Sequence, residues 1–184
     1  IIKNTVLAVL VPISMDHQSF LGNTLTEIAE KKAGIIKPGC SVATVGQKPE
    51  SLKVIQEVCH ENGADLTVAD LEKAKAVKAD FAGQTLEYRG ETYELSLAGS
   101  YQTENAALAI ETAGRLGLSE TVIHRGLRRM NWPGRMEELE PGIYVDGAHN
   151  EPAIEAFCKT VSALYADKKI VLLFAVASDK QYNK

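Results

Sequence analysis

Residues 143–174 read IYVDGAHNEPAIEAFCKTVSALYADKKIVLLF, and the reading of this stretch decides the fold. Ile143 to Val145 and Ile170 to Phe174 are short apolar runs with strand character, and Pro152 to about Tyr165 between them reads as a helix. Two parallel strands need a crossover of this kind, so the stretch predicts a βαβ unit and an α/β fold. At its first turn Asp146, Gly147, His149 and Asn150 stand almost side by side. A plain turn needs only the glycine and an aspartate. In open α/β sheets ligands collect outside the carboxyl ends of strands, so these polar groups mark a candidate site.

Working outward from there, Asn131-Trp132-Pro133-Gly134 breaks the periodic pattern and is the best linker in the chain. Before it, Ser119 to Met130 reads as a helix. Gln102 to Leu116 is the clearest helix of all, with Ala106, Ile110, Ala113 and Leu116 on one face and Gly117 as its stop. Thr85 to Leu97 alternates around Arg89-Gly90 and predicts a β-hairpin. Ser41 to Val45 and Asp65 to Val68 read as strands. The helix between them spans Ser51 to Asn62, with Leu52, Ile55, Val58 and Cys59 on one face and Gly63 as its stop. Thr24 with Glu27 fits a capping box at the start of a helix running to about Ala33. Val6 to Val11 is continuously apolar, the pattern of a strand covered on both faces.

The 184 residues are 45% hydrophobic and 24% charged, with a net charge of −4. That balance supports a packed core and argues against broad nucleic-acid binding. Small molecules and proteins are the expected partners, with no nucleic acid and no membrane. Cys40, Cys59 and Cys158 are far apart and form no C-x-x-C pair. Neither a disulfide framework nor a cysteine zinc site is expected, and a reducing cytoplasm is the natural compartment. The abrupt apolar start and the ending soon after Phe174 suggest a piece of a longer chain.

Four places carry polar groups suited to chemistry. Asp16 and His17 follow the Val6–Ile13 run, where they would either bind a metal or phosphate or simply cap a loop. Lys31, Lys32 and Lys37 crowd a helix end, where cations also offset the helix dipole without any further role. Gln102 to Asn105 open the best helix and read equally as anion binders or as capping residues. The fourth joins Arg135 to Asp146, Gly147, His149 and Asn150. Arg offers a fixed fork of donors suited to phosphate, Asp accepts from a ribose hydroxyl, and Gly147 lets a ligand approach the backbone. Here the functional reading is the stronger one.

Taken together, SMDHQSFLGNTLTEIAEKKAGIIKPG (residues 14–39), YQTENAALA (101–109), WPGRMEEL (132–139) and YVDGAHNEPA (144–153) resemble the folylpolyglutamate synthase/dihydrofolate synthase family of the Mur ligase superfamily. The resemblance implies an ATP-dependent ligase that adds L-glutamate to folate, or to dihydropteroate, through an acyl phosphate. It implies the latter part of a central ATPase domain over residues 1–131, a linker at 132–134, and the start of a Rossmann-like C-terminal domain over 135–184. It also implies roles. His17 would be a Mg²⁺ ligand, and Lys32 a carbamylated catalytic lysine with Lys31 as its neighbouring rival. Asn105 would contact adenine, Arg135 and Asp146 would hold ATP, and His149 would be a catalytic group beside the phosphates. The whole protein is expected to be a cytoplasmic monomer.

The sequence departs from the family in several ways. No G-x-x-x-x-G-K-[ST] phosphate loop occurs in it, Tyr101 stands where the family commonly has His, and Glu151 where it commonly has Pro. These departures make the 184 residues by themselves an expected inactive piece of the enzyme. Another Mur-type amino-acid ligase, or a non-catalytic homologue acting as a binding module, are the alternatives. Exposed apolar surface along the first strand, and self-association, are expected of the isolated piece.

Overall fold

A computed structural model of the chain describes residues 2–15, 18–80 and 82–176. The chain divides into two compact units, Ile1–Ala74 with Glu104–Ile123, and Lys75–Thr103 with His124–Lys184.

The first unit is built on a three-stranded parallel sheet of β1 (Leu7–Leu10), β2 (Ser41–Thr44) and β3 (Asp65–Val68), in that order. Leu7 pairs with Ser41, and Ser41 with Asp65. The crossovers are α1 (Gln18–Leu21) with α2 (Leu25–Ala33), and then α3 (Pro49–Glu61). Ile28, Ala29 and Ala33 of α2, Val42 of β2 and Ile55 of α3 are fully buried and form the heart of this unit's core. The capping box forms as expected: Thr24 Oγ1 accepts from the Glu27 amide at 3.2 Å, and Glu27 Oε2 accepts from the Thr24 amide at 3.2 Å. Gly22 makes room for it, because a Cβ there would lie 2.7 Å from that same Glu27 oxygen.

β1 shows the exposed apolar surface expected of it rather than the two covered faces its apolar run alone suggests. Ala8 and Leu10 are buried, yet Val9 is 37% exposed and Val6 and Val11 are more open still. One face of the strand is covered and the other is not. Beyond β1 the chain is tied down by Gln47, whose Oε1 accepts from Ile13 N at 2.8 Å and whose Nε2 donates to Val11 O at 3.1 Å. Buried Thr44 completes the tie by donating to Leu10 O at 2.8 Å.

The second unit contains an antiparallel sheet of β4 (Lys75–Asp80), β5 (Gly83–Tyr88) and β6 (Glu91–Leu95). The β5–β6 hairpin turns at Arg89 and Gly90, both with positive φ (52° and 87°), the requirement of a two-residue turn whose twist matches the strands. β4 has no apolar alternation and every residue in it is exposed, so its sequence carries little strand signal; its lysines suit an unprotected sheet edge. Two helices, α4 (Tyr101–Arg115) and α5 (Glu120–Arg128), contribute residues to both units.

The last part of the second unit corrects the βαβ expectation. β8 (Ile143–Val145) is a strand and α6 (Glu151–Leu164) is a helix, but β8 pairs antiparallel with β7 (Glu137–Glu140). Residues 170–176 form no ladder, and Val171 and Leu173 are 89% and 96% exposed. A continuous apolar run makes a central strand only when neighbours hydrogen-bond it on both sides and cover both faces. Among the described residues it has neither.

Candidate functional site

The strand-to-helix turn after β8 is held by a second turn, the one between α5 and β7. Gly134 has a φ of +70°, and its carbonyl accepts from Gly147 N at 2.8 Å and from Arg135 Nη1 at 3.0 Å. Its own amide donates to Glu137 Oε2 at 2.7 Å. Gly147 makes room for the guanidinium: a Cβ on it would sit 2.4 Å from Arg135 Nη1. The half-buried Arg135 thus lies against bare backbone, with only Nη1 hydrogen-bonded among the described residues.

Asp146 is the hub of both turns. Oδ1 accepts from Ala148 N at 2.8 Å, and Oδ2 accepts from Met136 N at 3.0 Å and from the Tyr101 hydroxyl at 3.2 Å. Met136 adopts a left-handed φ of 47°, which costs a non-glycine residue free energy; its bond to Asp146 and its buried side chain hold it there. A carboxylate has about four acceptor positions, so the three bonds leave room for another donor. The Tyr101 phenol is pushed up to about 12, first by burial and then by the adjacent Asp146 carboxylate, with Arg135 opposing.

His149 is exposed, and its Nδ1 lies 2.8 Å from the Gly147 carbonyl. A carbonyl only accepts, so Nδ1 carries the proton in this contact. Asn150 is the N-cap of α6, its Oδ1 accepting from Ala153 N at 3.0 Å. Arg135, Asp146, Gly147, His149 and Asn150 therefore do come together, in one pair of cross-linked turns. Sequence reasoning did not foresee Tyr101 as a partner of Asp146. The sole signal was its standing where the family has His.

The remaining expected residues lie in the first unit. Lys32 is in the last turn of α2, half-buried, with no ion pair or hydrogen bond on its ammonium to another described residue. Lys31, by contrast, donates to Phe20 O at 3.1 Å. Asn105 is exposed on α4. Asp16 and His17 lie outside the described residues, and among those described no group of three His, Cys, Asp or Glu side chains is placed to hold a metal. No described helix is long and apolar enough to cross a membrane.

Fold and turn together define a mixed α/β protein with separate parallel and antiparallel sheets. No protein-family model matches the chain. It is 36% identical over 191 residues to a dihydrofolate synthase/folylpolyglutamate synthase of Bacillus subtilis (strain 168), covering 96% of this chain and 44% of that protein. Among solved structures, an FPGS–AMPPCP–folate complex superimposes with a TM-score of 0.76 at 32% identity, over 88% of this chain and 43% of the other. A Mycobacterium tuberculosis folylpolyglutamate synthase complexed with ADP and AMPPCP gives 0.74 at 27% identity, over 85% and 39%. By sequence and by fold, this chain is a homologue of the folylpolyglutamate and dihydrofolate synthases. It spans less than half the length of the relatives it matches.

Proposed function

We propose that the chain is part of an ATP-dependent ligase that joins L-glutamate to folate, and to dihydropteroate as a second acceptor. In this reaction the acceptor's carboxylate attacks the γ-phosphorus of ATP and releases ADP. The glutamate amine attacks the resulting acyl phosphate, and the tetrahedral adduct collapses to amide and phosphate. Such chemistry relies on fixed donors around the transferring phosphoryl group. The observation that carries the proposal is the Arg135–Gly147 arrangement, a guanidinium laid over a glycine with most of its donors uncommitted among the described residues.

In this reading Arg135 donates to nucleotide phosphate oxygens. Asp146 uses its remaining acceptor position for a ribose hydroxyl, and His149 is the catalytic group beside the phosphates. Asn105 contacts adenine. Lys32, whose ammonium has no partner among the described residues, is the lysine that becomes carbamylated and catalytic. Mg²⁺, when bound, would neutralise phosphoryl charge; His17 is its proposed ligand. We also infer a domain division at Trp132–Gly134, with residues 1–131 before it and 135–184 after it, and a whole protein that is a cytoplasmic monomer. The folate branch is favoured over a cell-wall ligase by the names of the relatives, which are folate synthases.

The test is a titration of the chain with AMPPCP, followed at the backbone amides of Ala148 and His149. Shifts that saturate, and that vanish in Arg135→Ala, are expected. Unmoved amides would sink the assignment of this turn to nucleotide. Ligation assays with folate, dihydropteroate and UDP-linked acceptors on the whole protein then separate the branches. The 184 residues alone are expected to give no turnover, since they span under half of their relatives.

A further inference from the structure

Asp146 can serve a ligand only if its carboxylate is held in one rotamer. Two of its three partners are amides of the turns themselves, Met136 N and Ala148 N, which move wherever the turns move. The third comes from outside them. Tyr101 is the first residue of α4, and its ring occupies space that any residue but glycine at position 99 would take, since a Cβ on Gly99 would lie 2.7 Å from the ring. The segment carrying it is fastened to α6: Ser100 N donates to buried Thr160 Oγ1 at 3.4 Å, and Thr160 in turn donates to Ala156 O. Asn150 caps the same helix. Tyr101 therefore reaches Asp146 from a base tied to the helix that the turn leads into.

We propose that Tyr101 is a positioning residue: its hydroxyl, donated to Asp146, fixes the carboxylate that would receive the nucleotide's ribose. The inference rests on the nucleotide reading above and adds to it a residue whose own role is not to touch ligand. The high phenol pKa agrees with this geometry, because the protonated hydroxyl is the form that can donate.

The experiment compares wild type with Tyr101→Phe and Asp146→Asn in two readouts. The first is an ultraviolet difference titration of tyrosinate, wild type minus Tyr101→Phe. It should isolate one phenol titrating near 12, which in Asp146→Asn titrates lower but still above the ordinary 10.0, because burial, the larger cause, remains. A phenol titrating at its ordinary value in wild type overturns the pairing whatever the nucleotide does. The second is AMPPCP affinity, where Tyr101→Phe should weaken binding by between about twofold and tenfold, the value of one hydrogen bond. Wild-type affinity in Tyr101→Phe beside weakened affinity in Asp146→Asn reduces Tyr101 to a packing residue and overturns its positioning role. A wild-type chain with the high phenol but no AMPPCP binding overturns the nucleotide reading, and the role with it, while leaving the pair intact.

Discussion

Replacing Gly147 with Ala separates the ligand-binding role of the Arg135 turn from its structural one. The added Cβ would meet Arg135 Nη1 at 2.4 Å, and its next neighbour is Gly134 O at an ordinary 3.4 Å. Gly147 is not among the left-handed residues, so alanine brings no backbone strain. The guanidinium is the end of a flexible side chain and yields, losing its bond to Gly134 O. That loss costs about 1 kcal/mol. Restricting the unfolded chain by a glycine-to-alanine change returns about 0.4–1 kcal/mol. The two nearly cancel, so urea unfolding should place Gly147→Ala within about 0.5 kcal/mol of wild type. Nucleotide affinity should behave differently. A displaced guanidinium forfeits a hydrogen bond to a charged group, about 1.5–3 kcal/mol, or roughly a 10- to 100-fold rise in Kd. Arg135→Ala should give the same loss, and the double variant no more than either, because one interaction is being removed twice. Two results would refute this reasoning: a stability loss above about 2 kcal/mol, which would mean the backbone and not the arginine gives way, or an unchanged Kd in Gly147→Ala.

Two further outcomes follow from local geometry. Thr24→Ala removes one half of the capping box on α2 and should destabilise the first unit by about 1 kcal/mol, measured by urea unfolding with the Tyr101→Phe variant as a control in the other unit. Glu138 accepts from Gly142 N at 3.1 Å and from the Tyr144 hydroxyl at 2.8 Å, and these bonds hold its carboxyl below the ordinary 4.5. The contribution of a depressed carboxylate is present above its unfolded pKa and disappears as pH falls through its folded one. The advantage of wild type over Glu138→Gln in the β7–β8 hairpin should therefore shrink as pH drops below 4.5; an advantage that is flat with pH would contradict it.

Local signals carried much of the architecture into the sequence. The Thr24/Glu27 pair, the helix after Tyr101 with Ala106 and Ile110 on its buried face, and the alternation around Arg89-Gly90 each depend on neighbours a few positions away, and each formed, although Leu116, expected on that same face, lies past the helix end and is exposed. What failed depends on distant partners. Ile170 to Phe174 has a strand's composition, but a strand is completed by its neighbours, and none is present among the described residues. Lys75 to Asp80 pairs with β5 although nothing in its own residues asks for it. At the candidate site the types and order of residues were legible, and the turn gathered Arg135 with Asp146 to Asn150 as read. Two of its supports were not legible. The left-handed Met136 has no glycine to announce it, and Tyr101 lies 45 positions from Asp146.

Gly99 and Gly147 each make way for a neighbour, the Tyr101 ring in one case and the Arg135 guanidinium in the other. Variation at such a position is conditional. A side chain can enter at 147 if the Arg135 guanidinium is displaced or residue 135 shortens, and one at 99 only if residue 101 shrinks and the positive φ of Gly99 is also relieved. Libraries randomised one position at a time and selected for nucleotide binding should return glycine at both. Libraries randomised in the pairs 135/147 and 99/101 should return linked solutions, with small residues trading places, and that linkage would map the two contacts without any further structure.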